Sequence, residues 1–188
     1  MTLQIRRLGH TVMLALTLAL VSTGLWAQTK PKVQSLGLEN PTSAIYIGNS
    51  FFYYNNSMHG HVGALISEGM PGFKHRASSA TISGSGFDWH DVGSYFRQGA
   101  IGSYSFGANN VVSFNKLDKL FDVAVMMDCS QCPLHPQLKD VFAEYAKKHS
   151  ETVRKNGGLP VFFMSWAYKD KPEMTEQLAE AYTRTAND

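Results

Sequence analysis

The run Ala44-Ile45-Tyr46-Ile47-Gly48-Asn49-Ser50-Phe51-Phe52 puts a hydroxyl where chemistry is possible. An apolar stretch of strand type stops at Gly-Asn-Ser, and an aromatic-rich stretch follows. A serine between a buried strand and a helix stands at the carboxyl edge of a parallel sheet, where open α/β folds bind ligands. Backbone N–H groups at such a turn can also stabilise an oxyanion. The same residues would serve a plain Gly-Asn turn capped by a serine. The motif must therefore be weighed with the elements around it.

Those elements alternate. Ser43–Gly48 reads as a strand. Ser57–Gly69 reads as a helix, with Val62, Leu65 and Ile66 at helical spacing. Residues 74–82 form a second extended run. Residues 88–98 read as a helix with Trp89, Val92 and Phe96 on one side, and the glycine- and serine-rich residues 99–110 as a loop. Residues 117–121 suggest a short helical turn. Asp122–Met127 is a fully apolar third strand, and residues 137–155 form the strongest helix, with Val141, Phe142, Tyr145 and Val153 on one face. Asn156-Gly157-Gly158 stops it. Residues 159–164 are another buried strand, and residues 173–185 another helix. Strands alternating with helices predict an α/β fold with a mainly parallel sheet covered on both faces. Continuous apolar strands are what such a sheet requires.

The chain has 188 residues, 44% apolar and 17% charged, which fits one globular domain. Residues 1–27 have the pattern of a secretory signal peptide: Arg6 and Arg7, an apolar Thr11–Val21 region, and small residues before a cut after Ala27. An uncleaved anchor is the other reading. The stretch is short for a full span and is broken by Thr17, Ser22, Thr23 and Gly24. The expected location is therefore secreted or periplasmic, with no stable membrane span after cleavage. Residues 28–42 read as a polar linker, and residues 43–188 as the domain. The leader holds two of the 17 basic residues and no acid, so 15 residues of each sign remain. A near-neutral chain with no basic cluster gives no case for nucleic acid.

With these blocks in order, the chain resembles the SGNH hydrolases, also called the GDSL esterase/lipase superfamily. The likeness is to the secreted bacterial branch whose first block reads Gly-Asn-Ser-Phe. It covers most of the chain from Ile45 onward. Ile47-Gly48-Asn49-Ser50-Phe51 puts Ser50 on the family's nucleophile. Residues 82–90, Ile-Ser-Gly-Ser-Gly-Phe-Asp-Trp-His, match a glycine block whose N–H helps form the oxyanion hole, with Gly84 first and Gly86 second. Residues 122–131 match the third block, where Gln131 falls nearest the family's oxyanion asparagine. The resemblance implies a flavodoxin-like three-layer α/β/α sandwich. It also implies a serine esterase acting through an acyl-serine intermediate, with no cofactor or metal. The substrate would be a carboxylic ester, such as an acetylated carbohydrate or a short acyl ester. The oxyanion hole would comprise Ser50, Gly84 and Gln131, with Asn49, Phe51 and His90 in the substrate cleft. The family's Asp-x-x-His block does not occur in these 188 residues. The expectation is a C-terminally truncated member, nearly inactive alone, whose base lies beyond Asp188. A degenerate member without a base is the second reading. A non-catalytic ligand- or carbohydrate-binding module on the same scaffold is the competing function.

His59 and His61 follow the nucleophile but have apolar periodic neighbours. His75, His135 and His149 have no constellation around them, and no His-x-x-x-His spacing suggests a metal. Cys129-Ser130-Gln131-Cys132 is a Cys-x-x-Cys pattern after a buried strand. In an exported chain a local disulfide or a pair of buried thiols comes ahead of redox catalysis. Phe51, Phe52, Tyr53 and Tyr54 offer either a wall for substrate or core packing. Trp166, Tyr168 and Lys169 follow the last strand, again at the carboxyl edge.

Overall fold

The computed structural model describes residues 29–188, so the signal-peptide reading of residues 1–27 lies outside the described residues. The chain is α/β. Four parallel strands, β1 (Ser43–Gly48), β2 (Arg76–Thr81), β5 (Val123–Met126) and β6 (Leu159–Phe162), form one sheet in the order β2-β1-β5-β6. This order is compatible with a flavodoxin-like sheet. A separate antiparallel ribbon pairs β3 (Tyr104–Phe106) with β4 (Val112–Phe114). The helices are α1 (Ser50–Tyr53), α2 (Met58–Gly69), α3 (Val92–Tyr95), α4 (Lys139–Lys155) and α5 (Met174–Asn187). No helix of the described residues is long and apolar enough to cross a membrane.

Strand periodicity divides the core in two. Ile45 and Ile47 of β1, with Ala124 and Met126 of β5, face Phe142, Ala146 and Val153 of α4 and Leu178 and Tyr182 of α5. Ala44, Tyr46, Val123 and Met127 face the other way, onto Phe52 of α1 and Met58 at the start of α2. All six residues of β1 are buried, as a central strand covered on both sides demands. Helix α4 ends at Gly157 (φ +77°), where the Gly158 N–H donates to Val153 O at 3.1 Å.

Four local expectations are corrected. Helix α2 buries none of its residues, and Leu65 is 72% exposed. Its neighbour β2 is Arg-Ala-Ser-Ser-Ala-Thr, which offers little apolar surface to cover. The helix expected over residues 88–98 is two short pieces, a 3₁₀ turn at Phe87–Trp89 and α3. His90 between them is extended (φ −96°, ψ 126°) because its ring is drawn under the sheet edge, and Trp89 points to solvent. The loop at residues 99–110 contains β3. Residues 117–121 form no helical turn: Leu120 and Phe121 are buried, and the Arg76 guanidinium holds the Leu120 carbonyl.

At the amino edge the Asp122 carboxylate fastens the starts of β1 and β5 together. It accepts from the Thr42 N–H (2.8 Å), the Thr42 hydroxyl (2.9 Å) and the Ser43 N–H (3.1 Å), and pairs with Lys119 at 2.6 Å. Burial alone would raise its pKa. The Lys119 and Thr42 donors outweigh that and hold it well below the usual carboxylate range. A depressed carboxylate pKa gives stability that is present above the unfolded value, about 4, and lost as pH falls below it. Asp122→Asn should therefore cost about 2 kcal/mol at pH 7. Urea denaturation should show its deficit against wild type shrinking as pH drops below 4.

Candidate functional site

The carboxyl ends of three of the four strands, β1, β2 and β5, converge on Asn49. Strand β1 ends at Gly48, which must be small because a Cβ there would meet the Phe52 ring at 3.0 Å and Met127 O at 3.2 Å. Asn49 follows as the N-cap of α1, accepting from the Phe51 N–H at 3.2 Å. Its Nδ2 donates to Ser85 O (3.0 Å), in the loop after β2, and to Asp128 O (3.2 Å), in the loop after β5. One carboxamide thus ties three strand ends together. It is only 4% exposed, so Asn49 lies beneath the cleft expected for it rather than lining it.

That clamp presents Ser50. Ser50 is the first residue of α1 and is half-buried. Its hydroxyl makes no hydrogen bond to another described residue. Its N–H, at the first helical position, has no intrahelical acceptor. On one side, Ile82–Ser85 form a tight turn closed by the Ser85 N–H donating to Ile82 O at 3.2 Å. Gly84 is exposed at the third position of this turn with φ +72°, and nothing lies within 4 Å of where its Cβ would be. Backbone conformation, not space, demands glycine there. Gly86 differs, because a Cβ would sit 2.9 Å from Asp128 Oδ1 and 2.8 Å from Asp88 Oδ1. It is a packing glycine in the interior.

On the other side, Cys129 and Cys132 are joined in a disulfide, the structural alternative for this pair. The loop it closes carries Gln131, whose Nε2 donates to the Tyr168 hydroxyl at 3.0 Å. Ser130 Oγ lies 2.6 Å from the same oxygen. Phe51 packs on Trp166 with ring centroids 4.7 Å apart, and Trp166 remains 57% exposed. These two rings form an aromatic wall at the rim beside Ser50.

Below the rim is a buried polar network. The Gly48 carbonyl can only accept, so His90 Nε2 carries hydrogen and donates to it at 3.1 Å, while the Ser85 hydroxyl donates at 3.2 Å. His90 Nδ1 then accepts from the Tyr95 hydroxyl at 3.0 Å. His90 is thus an interior strut rather than the cleft residue expected. Burial pulls its pKa down to about 4. Asp128 Oδ1 accepts from the Phe87 N–H (2.9 Å) and the Cys129 N–H (2.7 Å), yet burial outweighs both and pushes its pKa up to about 6. The Phe87 carbonyl lies 2.8 Å from His149 Nε2, and burial lowers the His149 pKa as well. Asp128 and His149 carry roles that the sequence reading did not assign. Their partners sit on the turn at residue 87, far away in the chain.

No described histidine hydrogen-bonds the Ser50 hydroxyl. His59 packs beside Tyr46, and His61 is engaged by the Asn55 carbonyl. The edge therefore combines a hydroxyl with no partner among the described residues, an exposed turn glycine on one flank, a carboxamide loop on the other and an aromatic wall. Comparison with protein-family models, with curated proteins and with solved structures finds no match for this chain.

Two measurements check this arrangement. Asn49→Ala removes a cap and orphans two buried carbonyls, and should cost about 2–4 kcal/mol in urea unfolding. Asn49→Asp keeps the cap but sets a carboxylate against both carbonyls, and should not rescue. The second concerns pH. A raised carboxylate pKa makes Asp128 favour folding at low pH, and that contribution is lost as pH rises from about 4 to about 6. The lowered pKa values of His90 and His149 act oppositely, their contribution being lost as pH falls below about 6.5. The two trends offset one another in wild type. Asp128→Asn should uncover the histidine trend, a loss on the order of 2–3 kcal/mol between pH 6.5 and pH 4.

Proposed function

We propose that this chain carries the nucleophile and oxyanion half of an SGNH-type serine ester hydrolase, on a flavodoxin-like three-layer α/β/α sandwich. The observation that carries this reading is the location of Ser50. It is the first helical residue after the central strand β1, and its hydroxyl bonds no other described residue. The loops that follow the two strands flanking β1 carry Gly84 and Gln131, one on each side. Donors arriving from both neighbours are what a developing oxyanion needs, and each is worth about 10²–10³ in rate.

In this mechanism Ser50 Oγ attacks the ester carbonyl carbon, and the carbonyl electron pair moves to oxygen. The Ser50 and Gly84 N–H groups receive that charge. The Gln131 carboxamide joins them when it leaves Tyr168. Water takes the Ser50 proton and returns one to the departing oxygen, so collapse of the tetrahedral species releases the alcohol and leaves an acyl-serine, which water hydrolyses. A hydroxyl is a weak nucleophile without a base, and no described residue takes the Ser50 proton. A site holding its oxyanion donors alone retains about 10³–10⁴-fold catalysis over water. The Cys129–Cys132 disulfide supports export to an oxidising compartment.

A second reading draws on the Phe51–Trp166 wall: a module that binds a ring-bearing ligand and does not turn it over. Hydrolysis of p-nitrophenyl acetate separates the two. The esterase reading expects slow turnover with an acetyl adduct on Ser50, read by mass spectrometry, that Ser50→Ala abolishes. Saturable quenching of tryptophan fluorescence by a sugar, with no acetyl adduct on Ser50, would leave the binding module standing instead.

A further inference from the structure

The disulfide beside the cleft has neighbours that a purely structural bridge does not require. Cys129 is half-buried and Cys132 is buried. The Cys132 N–H donates to Cys129 Sγ at 3.0 Å. The Asp128 carboxylate, buried at 2% exposure, lies within 4.8 Å of both sulfurs. Gly86 lets them meet. A Cβ there would stand 2.9 Å from Asp128 Oδ1 and 3.5 Å from Cys132 Sγ, so one missing side chain leaves carboxylate and sulfur together beneath the same turn. The Phe87 and Cys129 N–H groups both donate to Asp128 Oδ1, at 2.9 and 2.7 Å, and fix the carboxylate there. Oδ2 bonds no other described residue, which leaves one oxygen to carry a proton.

A reactive Cys-x-x-Cys pair usually gains its reactivity from the start of a helix, whose N–H groups stabilise a thiolate. That help is missing here, because α4 starts at Lys139, past Pro133 and Pro136. The turn supplies each sulfur with a substitute. A thiolate at Cys129 keeps the Cys132 N–H as its donor. A sulfur leaving at Cys132 can take a proton from Asp128, after a side-chain rotation or through one water. Burial pushes the Asp128 pKa up to about 6, between ordinary carboxylic acids and thiols, which suits a group that must give a proton and take it back. Access sets the order of events. Attack falls on the half-buried Cys129, and Cys132 departs towards the carboxyl.

We infer that Cys129, Cys132 and Asp128 form a thiol–disulfide exchange centre that takes two electrons from a dithiol, with Cys129 the sulfur attacked and the Asp128 carboxyl the proton donor to Cys132. One thiolate of the dithiol attacks Cys129 Sγ. The Cys129–Cys132 bond breaks with its electron pair going to Cys132, which takes the Asp128 proton. The second thiolate then attacks the dithiol sulfur of the mixed disulfide and expels Cys129 as a thiolate. The dithiol is oxidised to a cyclic disulfide and the bridge is reduced, by two electrons each. The dithiol's protons pass to solvent, from which Asp128 and Cys129 recover theirs. Nothing in this step involves Ser50.

The chain has only these two cysteines, so alkylation of acid-quenched samples, read by mass spectrometry, reports this pair alone. With dithiothreitol as the probe at pH 7, the oxidised full chain should be reduced at least about tenfold faster folded than in concentrated urea, where the bridge loses its neighbours. An inert bridge gives the reverse order, and this comparison requires no variant. Asp128→Asn still accepts both N–H groups through its carboxamide oxygen. It should slow the folded reaction at least about tenfold and leave the rate in urea unchanged. Cys129 in the Cys132→Ser variant should be alkylated by iodoacetamide at least about tenfold faster than Cys132 in the Cys129→Ser variant. The inference is overturned by a folded bridge that reacts no faster than the unfolded one, by equal folded rates for wild type and Asp128→Asn, or by faster alkylation of Cys132.

Discussion

One carboxamide governs the carboxyl edge of this sheet. Asn49 must leave β1, start a helix and satisfy two carbonyls from loops that follow other strands, all with a single side chain. Parallel strands have no hairpins to fix the relative position of their ends. Cross-links of this kind do that work, and burial strengthens them because an unmet partner in the interior is costly. The orientation of Ser50 follows from the clamp beneath it. Aspartate, serine or threonine would also cap α1, but none offers two donors to Ser85 and Asp128 while accepting from Phe51.

The two faces of the sheet are unequal. One is sealed by α4 and α5, whose buried phenylalanine, leucine and tyrosine side chains lock onto β1 and β5. The other relies on Phe52, on Met58 and on a helix that contributes no buried residue. Stability is therefore concentrated between β1, β5 and α4, and that is the part of the molecule from which Ser50 and the Asp128 loop emerge. Residues 29–32 lie along α5 rather than hanging free. The Thr29 N–H and hydroxyl donate to the Glu180 carboxylate, and Lys32 Nζ donates to Asn187 O.

The legible parts of the fold were those decided locally. Strands β1, β5 and β6 are short apolar runs, and α4 has a clean helical period, so each declared itself. Ser50 at a strand–helix junction was readable for the same reason. What escaped depends on partners distant in sequence. His90 breaks a helix because it bonds a carbonyl 42 residues earlier, and Asp128 matters because an N–H 41 residues earlier reaches it. The three-residue strands of the ribbon, set among Gly, Ser and Asn, looked like loop. The helical spacing of Val62, Leu65 and Ile66 promised a buried face that the small side chains of β2 do not supply.

The disulfide at the end of β5 spans a sequence separation of three. Cross-linking so short a loop removes little freedom from the unfolded chain, about 2 kcal/mol on a chain-entropy model and less than a long-range bridge gives. Its effect is on shape, not endurance. A reductant would leave the β-layer folded and relax a single turn, the one whose serine and glutamine grip Tyr168. The oxidation state of the surroundings would then act as a dial on the geometry of one wall of the cleft.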